Sequence, residues 1–420
     1  MQINWKRILA LAGIILIAGG VGTLLYFLLL RPTLLPTQPA ATNQPTTTTG
    51  GVGLQPAGTG GSIPLQPGTT TDPTQDPLAP IDDDSTTEPP ASEIARGGRT
   101  VATTLVPEAT LGLQLKPSTN ELVYYNQDDD YFYSLSASGA TQRLADKKFF
   151  GVESVVWSSD RTQAVIEYPD GANILYNFSS KSQITLPNHW REFSFSPDGR
   201  KVAFKSIGTT RDTRWVAVTN SNGSESRVIR TLGDDPGKFS INWSPNGQIV
   251  ATQAETVNGQ TENIAFVSSG QETFPLATVE GHDFRGLWSP SGDRLMYSTY
   301  SASSNNYPVL SIMSTGPNTV GQNQRSLLLN TWVEKCGFAS NDVAYCAVPR
   351  TLPANAGLFR EEFIDVENDI YRIDLSNGFR SLVATPDQAQ GIRQLSVSSD
   401  ERFLYYTGIQ DNNIYQIRLR

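Results

Sequence analysis

Trp243-Ser244-Pro245-Asn246-Gly247, followed by Gln248-Ile249-Val250-Ala251, decides how this chain folds. Proline enters with φ already near the turn value, asparagine tolerates the next position, and glycine supplies the positive φ that closes a tight hairpin. The apolar run after it has the length of a short strand buried on both faces. Phe195-Ser196-Pro197-Asp198-Gly199 and Trp288-Ser289-Pro290-Ser291-Gly292 repeat the signature, and weaker copies begin at Leu115, Trp157, Phe338 and Val397.

The seven anchors stand 38 to 59 residues apart. Most copies carry a third strand, such as Ile264-Ala265-Phe266-Val267, and several a fourth, such as Val228-Ile229-Arg230-Thr231-Leu232. Periods of this length with four short strands predict propeller blades, which cannot bury their faces alone and must stack about an axis. The predicted fold is all-β: a seven-bladed β-propeller of four-stranded antiparallel blades, spanning 100–420. The last copy offers three strands, so Thr100 to Val106, rich in β-branched residues, is expected to supply the fourth and close the ring.

These Trp/Phe-Ser-Pro-Asp/Asn-Gly hairpins resemble the WD40-like repeat of TolB-type propellers and of the propeller domains of prolyl-oligopeptidase-like proteins. The resemblance covers roughly residues 100 to 420 and implies the fold. It implies neither a Tol-system role nor peptidase activity, because neither the α/β domain of TolB nor a hydrolase domain is legible beside the propeller, and propellers serve many unrelated functions.

Ile8 to Leu30 is an uncharged apolar stretch long enough to cross a bilayer as one transmembrane helix. Lys6 and Arg7 precede it, so residues 1–7 are expected in the cytoplasm and the propeller outside, periplasmic or at the cell surface. The run exceeds the apolar core of a cleaved signal peptide, which favours a single-pass signal anchor in the cell membrane. Residues 31–99, rich in Thr, Pro, Gly and Gln, cannot bury enough surface to fold and read as a disordered linker.

Charge follows the same partition. Lys6, Arg7 and Arg31 make the first 31 residues +3; residues 32–99 carry seven acids against Arg96 and Arg99, or −5; the remainder holds −7 of the total −9. An acidic body excludes nucleic acid as a main partner, since phosphate needs a basic stripe.

The only cysteines, Cys336 and Cys346, fall nearly opposite each other across the sixth hairpin, where a disulfide can form in an oxidising exterior. His189 and His282, the only histidines, sit in different blades without ligand spacing, and neither a nucleophile elbow nor a phosphate loop occurs. The reading therefore assigns no catalytic or metal-binding residue and no cofactor. Asp128-Asp129-Asp130 lies where a turn is needed and lacks the pattern of a calcium loop.

The chief irregularity is the interval Pro349 to Asp369 in the sixth copy, with bulky Leu358, Phe359 and Phe363 among charges. Loops on rigid scaffolds concentrate binding, so these three are the candidate partner-binding residues; the competing expectation is a hairpin that merely covers a neighbouring blade. The function expected is a non-enzymatic, membrane-tethered scaffold of the cell envelope that binds a protein or glycan. The alternative is a surface hydrolase or lyase acting on carbohydrate or peptide through carboxylates at the propeller's central pocket; separately, Glu361, Glu362, Asp365, Glu367 and Asp369 are acids of the kind that glycoside chemistry pairs at a fixed distance.

Overall fold

The computed structural model describes residues 90–316 and 318–420. Seven sheets follow one another along the chain, beginning with blade 1 at Thr110–Leu115 and ending with blade 7 at Ile392–Val397, Phe403–Gly408 and Ile414–Arg418. The expected membrane span, 8–30, and the expected linker up to residue 89 lie outside the described residues. Among the described residues no helix is long and apolar enough to cross a membrane.

Successive side chains of a strand point to opposite faces, and here both faces are interior. In blade 1, Leu122 and Tyr124 join Tyr405 and Ile414 of blade 7, whereas Val123 and Tyr125 join Trp157 and Ile166 of blade 2. Seven such clusters occupy the seven junctions between neighbouring blades. The core is thus a ring of interfaces rather than one central mass. Each fully buried aliphatic side chain in it contributes roughly 1.5 to 3 kcal/mol.

The repeated turn owes its form to a buried serine. Ser244, 0% exposed, donates its hydroxyl to Asn246 Oδ1 (2.7 Å) and accepts the Ile249 N–H (2.9 Å). Ser196 with Asp198 and Lys201, Ser158 with Asp160 and Gln163, and Ser398 with Asp400 and Phe403 repeat the arrangement. Gly199, Gly247 and Gly292 hold φ of 69°, 79° and 74°, the left-handed values that favour glycine. Two of the weaker copies, those at Trp157 and Val397, place Arg161 (φ 61°) and Glu401 (φ 53°) there instead. The turns also fasten blades together: Asn246 Nδ2 donates to Gly292 O (2.9 Å), and the Ser291 N–H to Asn341 Oδ1 (2.8 Å).

Closure involves two strands where one was expected. Thr103–Val106 pairs antiparallel with Ile414–Arg418 and completes blade 7. Gly98–Thr100 instead lies parallel to Arg380–Pro386, making blade 6 five-stranded rather than four-stranded. Thr100 therefore belongs to blade 6, and ordered pairing starts before residue 100, with Ser92 bridging Thr100. Asp387 explains the step between blades: its N–H donates to Thr100 O (3.0 Å), and its Oδ1 accepts the Ala102 N–H (2.9 Å).

Ser244→Ala should cost about 1 to 3 kcal/mol by stranding the buried Ile249 N–H. Urea unfolding measures it, and a change within about 0.5 kcal/mol, the level of an ordinary surface substitution, would count against the serine's role.

Candidate functional site

In each blade the second-to-third strand connections and the links to the next blade leave from one rim; the serine turns occupy the other. The long connection of blade 6 rises on the first rim, between Val343–Pro349 and Asn368–Asp374. Asn355, at φ 71°, turns the chain into a short 3-10 segment, Ala356–Phe359, which runs into one helical turn, Arg360–Phe363. The middle of this connection leans on blade 5. Gly357 donates its N–H to Asn306 O (2.8 Å), and a Cβ at that glycine would stand 2.5 Å from Tyr300 Cβ, so no other residue fits without displacement. The Asn355 N–H bonds Asn305 O (3.0 Å), and Asn306 Nδ2 donates to Asn355 Oδ1 (2.8 Å).

The far end is fixed by a residue that sequence reading passed over. Lys335, 0% exposed, donates to Ile364 O (2.7 Å), Asn368 Oδ1 (3.2 Å) and Ile392 O (2.7 Å). One ammonium thereby joins the connection to the third strand of its own blade and to the inner strand of blade 7. All three of its hydrogens have acceptors, which is what a buried lysine requires. Nothing local in Glu334-Lys335-Cys336 signals this, because the acceptors come from positions 29, 33 and 57 residues away. Burial pushes the amine down to about 7, with Glu334 and Asp365 opposing that push and Arg360 and Arg393 adding to it.

Of the three candidate partner-binding residues, the structure exposes two. Leu358 is 48% exposed and Phe359 52%, while Phe363 is half-buried. The connection also covers the turn of blade 5, so the covering geometry and the exposed tip coexist.

Four of the five acids considered for catalysis are held by neighbouring groups. Arg350 holds Glu367 and Asp369, the latter at 2.9 Å. Arg360 pairs with Glu334 and with Glu361 (2.5 Å). Asp365 accepts the Gly391 N–H (3.1 Å) and Gln410 Nε2 (3.2 Å), and Glu362 is exposed. Glu167 of blade 2 is raised above the ordinary carboxyl range by burial, against the pull of the Ser154 hydroxyl. His282 stands 3.6 Å from Glu262, and His189 is exposed on the link between blades 2 and 3. Among the described residues no group of three or more His, Cys, Asp or Glu gathers as metal ligands. The Asp128-Asp129-Asp130 stretch forms a turn: Asn126 Oδ1 accepts the Asp128 and Asp129 N–H groups. Cys336 and Cys346 are register partners with Cα atoms 4.1 Å apart and sulfurs bonded at 2.08 Å.

No family model and no curated protein sequence matches this chain. Solved structures share its fold. The β-propeller domain of Cps50 (Swd1) from Myceliophteria thermophila aligns with a TM-score of 0.52 at 10% identity, covering 76% of this chain and 100% of that one. Hydrazine synthase from Kuenenia stuttgartiensis aligns at 0.50 and 14% identity, covering 74% and 96%. TolB from Acinetobacter baumannii aligns at 0.43 and 13% identity, covering 68% and 65%. At such identities the likeness is one of architecture, and the chain is a seven-bladed β-propeller.

The depressed amine of Lys335 sets a pH dependence. Between pH 7 and the ordinary value of 10.5 the unfolded chain holds a proton that the folded chain has released. The contribution of this group to stability therefore rises with pH across that window, by at most about 1.4 kcal/mol per unit. Lys335→Met should remove that rise in unfolding measured from pH 6 to 9; equal slopes for the two proteins would refute the assignment.

Proposed function

We infer that this chain is a membrane-tethered, extracytoplasmic propeller that acts as a non-enzymatic scaffold of the cell envelope, holding a protein through the blade 6 connection. The observation that carries this reading is a rigidly mounted apolar tip. Three blades fix the connection, yet Leu358 and Phe359 remain in solvent. Solvated apolar groups on a preorganised loop cost little ordering entropy when a partner covers them. An aliphatic residue beside an aromatic one favours a protein partner over a glycan, because sugar faces stack on rings and gain little from leucine.

Ile8 to Leu30 supports a membrane anchor, and Lys6 and Arg7 support a cytoplasmic N-terminus. The Thr/Pro/Gly-rich stretch that follows supports a tether. With Glu361, Asp365, Glu367 and Asp369 each held by a neighbour, Glu362 alone among the described acids of this connection is not so held, whereas glycoside chemistry needs two carboxylates.

The full chain, used as bait in detergent-solubilised native envelopes, should retain a protein that the Leu358→Ala/Phe359→Ala variant retains at least about tenfold less, as expected of hot-spot residues. Undiminished retention by a folded variant would remove the tip from the function. Topology has a separate test: protease added outside intact cells should destroy a C-terminal tag and spare an N-terminal one. The reverse pattern would overturn the proposed orientation.

A further inference from the structure

The scaffold reading leaves open what kind of protein segment the tip receives. Charge around the tip restricts the answer. Glu361 and Glu362 follow it after Arg360 and are exposed. Arg360, the nearest cation in the chain, is already held by Glu334 and Glu361. Across the junction, Arg285 of blade 5 is held by Asp283 at 3.1 Å and lies within the fields of Glu334 and Glu361. These six groups, four acids and two arginines, sum to −2, and neither arginine is left over to meet an incoming anion.

The same combination recurs on the same rim of blade 4. Its second and third strands form the long hairpin Ile249–Asn258 and Thr261–Ser268, with Val257 near the end, 56% exposed. Glu255 stands two residues before it, also exposed. Blade 5 lies between the two, with Glu280 exposed where its chain enters from blade 4. Blades 4 to 6 therefore present apolar tips at both ends of an acidic stretch.

We propose that this stretch is a docking site for a basic, amphipathic segment of a partner protein, whose apolar residues cover Phe359 and Leu358 while its lysines or arginines meet the surrounding carboxylates. The proposal rests on the scaffold reading and adds the partner's chemistry to it. An acidic segment would bring like charges together, and a neutral apolar one would leave the carboxylates partly desolvated without counter-charge.

The test uses the full chain in uncharged detergent and two labelled peptides with the same leucines and phenylalanines, one bearing lysines and the other glutamates. The lysine peptide should bind at least about tenfold tighter at low salt, an advantage that shrinks as screening shortens the reach of charge. Phe359→Ala should weaken it about tenfold, as for a hot-spot aromatic. Glu361→Gln/Glu362→Gln should weaken it several-fold and flatten its salt dependence, while Phe379→Ala, exposed on the opposite rim, should leave it unchanged.

Equal affinity for both peptides, or no binding of either, would overturn the proposal. So would lysine-peptide binding indifferent to Phe359, which would mark general attraction to an acidic body. If envelope capture still depends on Leu358 and Phe359 while the peptides show no charge preference, the scaffold reading stands and the partner's chemistry falls. If capture is itself indifferent to the tip, both fall.

Discussion

A four-stranded sheet with two apolar faces has no stable existence in water, and everything else in this molecule follows from how that difficulty is met. Each blade buries its two faces against two neighbours, so the ring must close or leave one pair of faces wet. That requirement makes the N-terminal strand Thr103–Val106 part of the last blade, where it pairs with Ile414–Arg418. It also makes the turns more than connectors. A serine hydroxyl inside each strong turn bonds its own hairpin, while the turn's outer groups reach the next blade, as Asn246 reaches Gly292 and the Ser291 N–H reaches Asn341.

The legible part of the fold is the part set by local chemistry. Ser-Pro-Asn-Gly favours a tight hairpin, and Ile249 to Ala251 announces a strand with both faces covered, without reference to any distant residue. The parallel strand Gly98–Thr100 escaped because it has no apolar alternation; its place comes from the open edge of Arg380–Pro386 and from the grip of Asp387 on the following residues. Arg161 and Glu401 escaped for a related reason. They occupy left-handed positions through compensating contacts: Arg161 donates to Ser158 O, and Glu401 accepts from Tyr345 and Arg372 of the adjoining blade.

The site divides along the same line. Leu358, Phe359 and Phe363 drew notice because bulky apolar groups stood among charges in a long interval, a signal carried by composition alone. Which of them faces solvent depended on tertiary supports: Lys335 from one side and the close approach of Gly357 to Tyr300 from the other. A buried lysine with three neutral oxygen acceptors is costly to desolvate, and among the described residues no salt-bridge partner touches its nitrogen. Its hydrogen bonds join segments of two blades, so its place in the structure is that of a junction.

The two rims of the propeller thus answer to different constraints. On one, every strong copy carries the same buried serine, and departures from it cost stability, so the repeated motif holds little room for recognition. On the other, second-to-third strand connections range from the two residues between Asn258 and Thr261 to the eighteen between Pro349 and Asn368. Length freed from the turn motif can be spent on contacts beyond the blade, and here it holds two apolar side chains in water beside carboxylates. A segment selected only to cover blade 5 would gain by turning Phe359 inward, as Phe363 partly is. On the proposed reading, the outward pair answers to what approaches this rim.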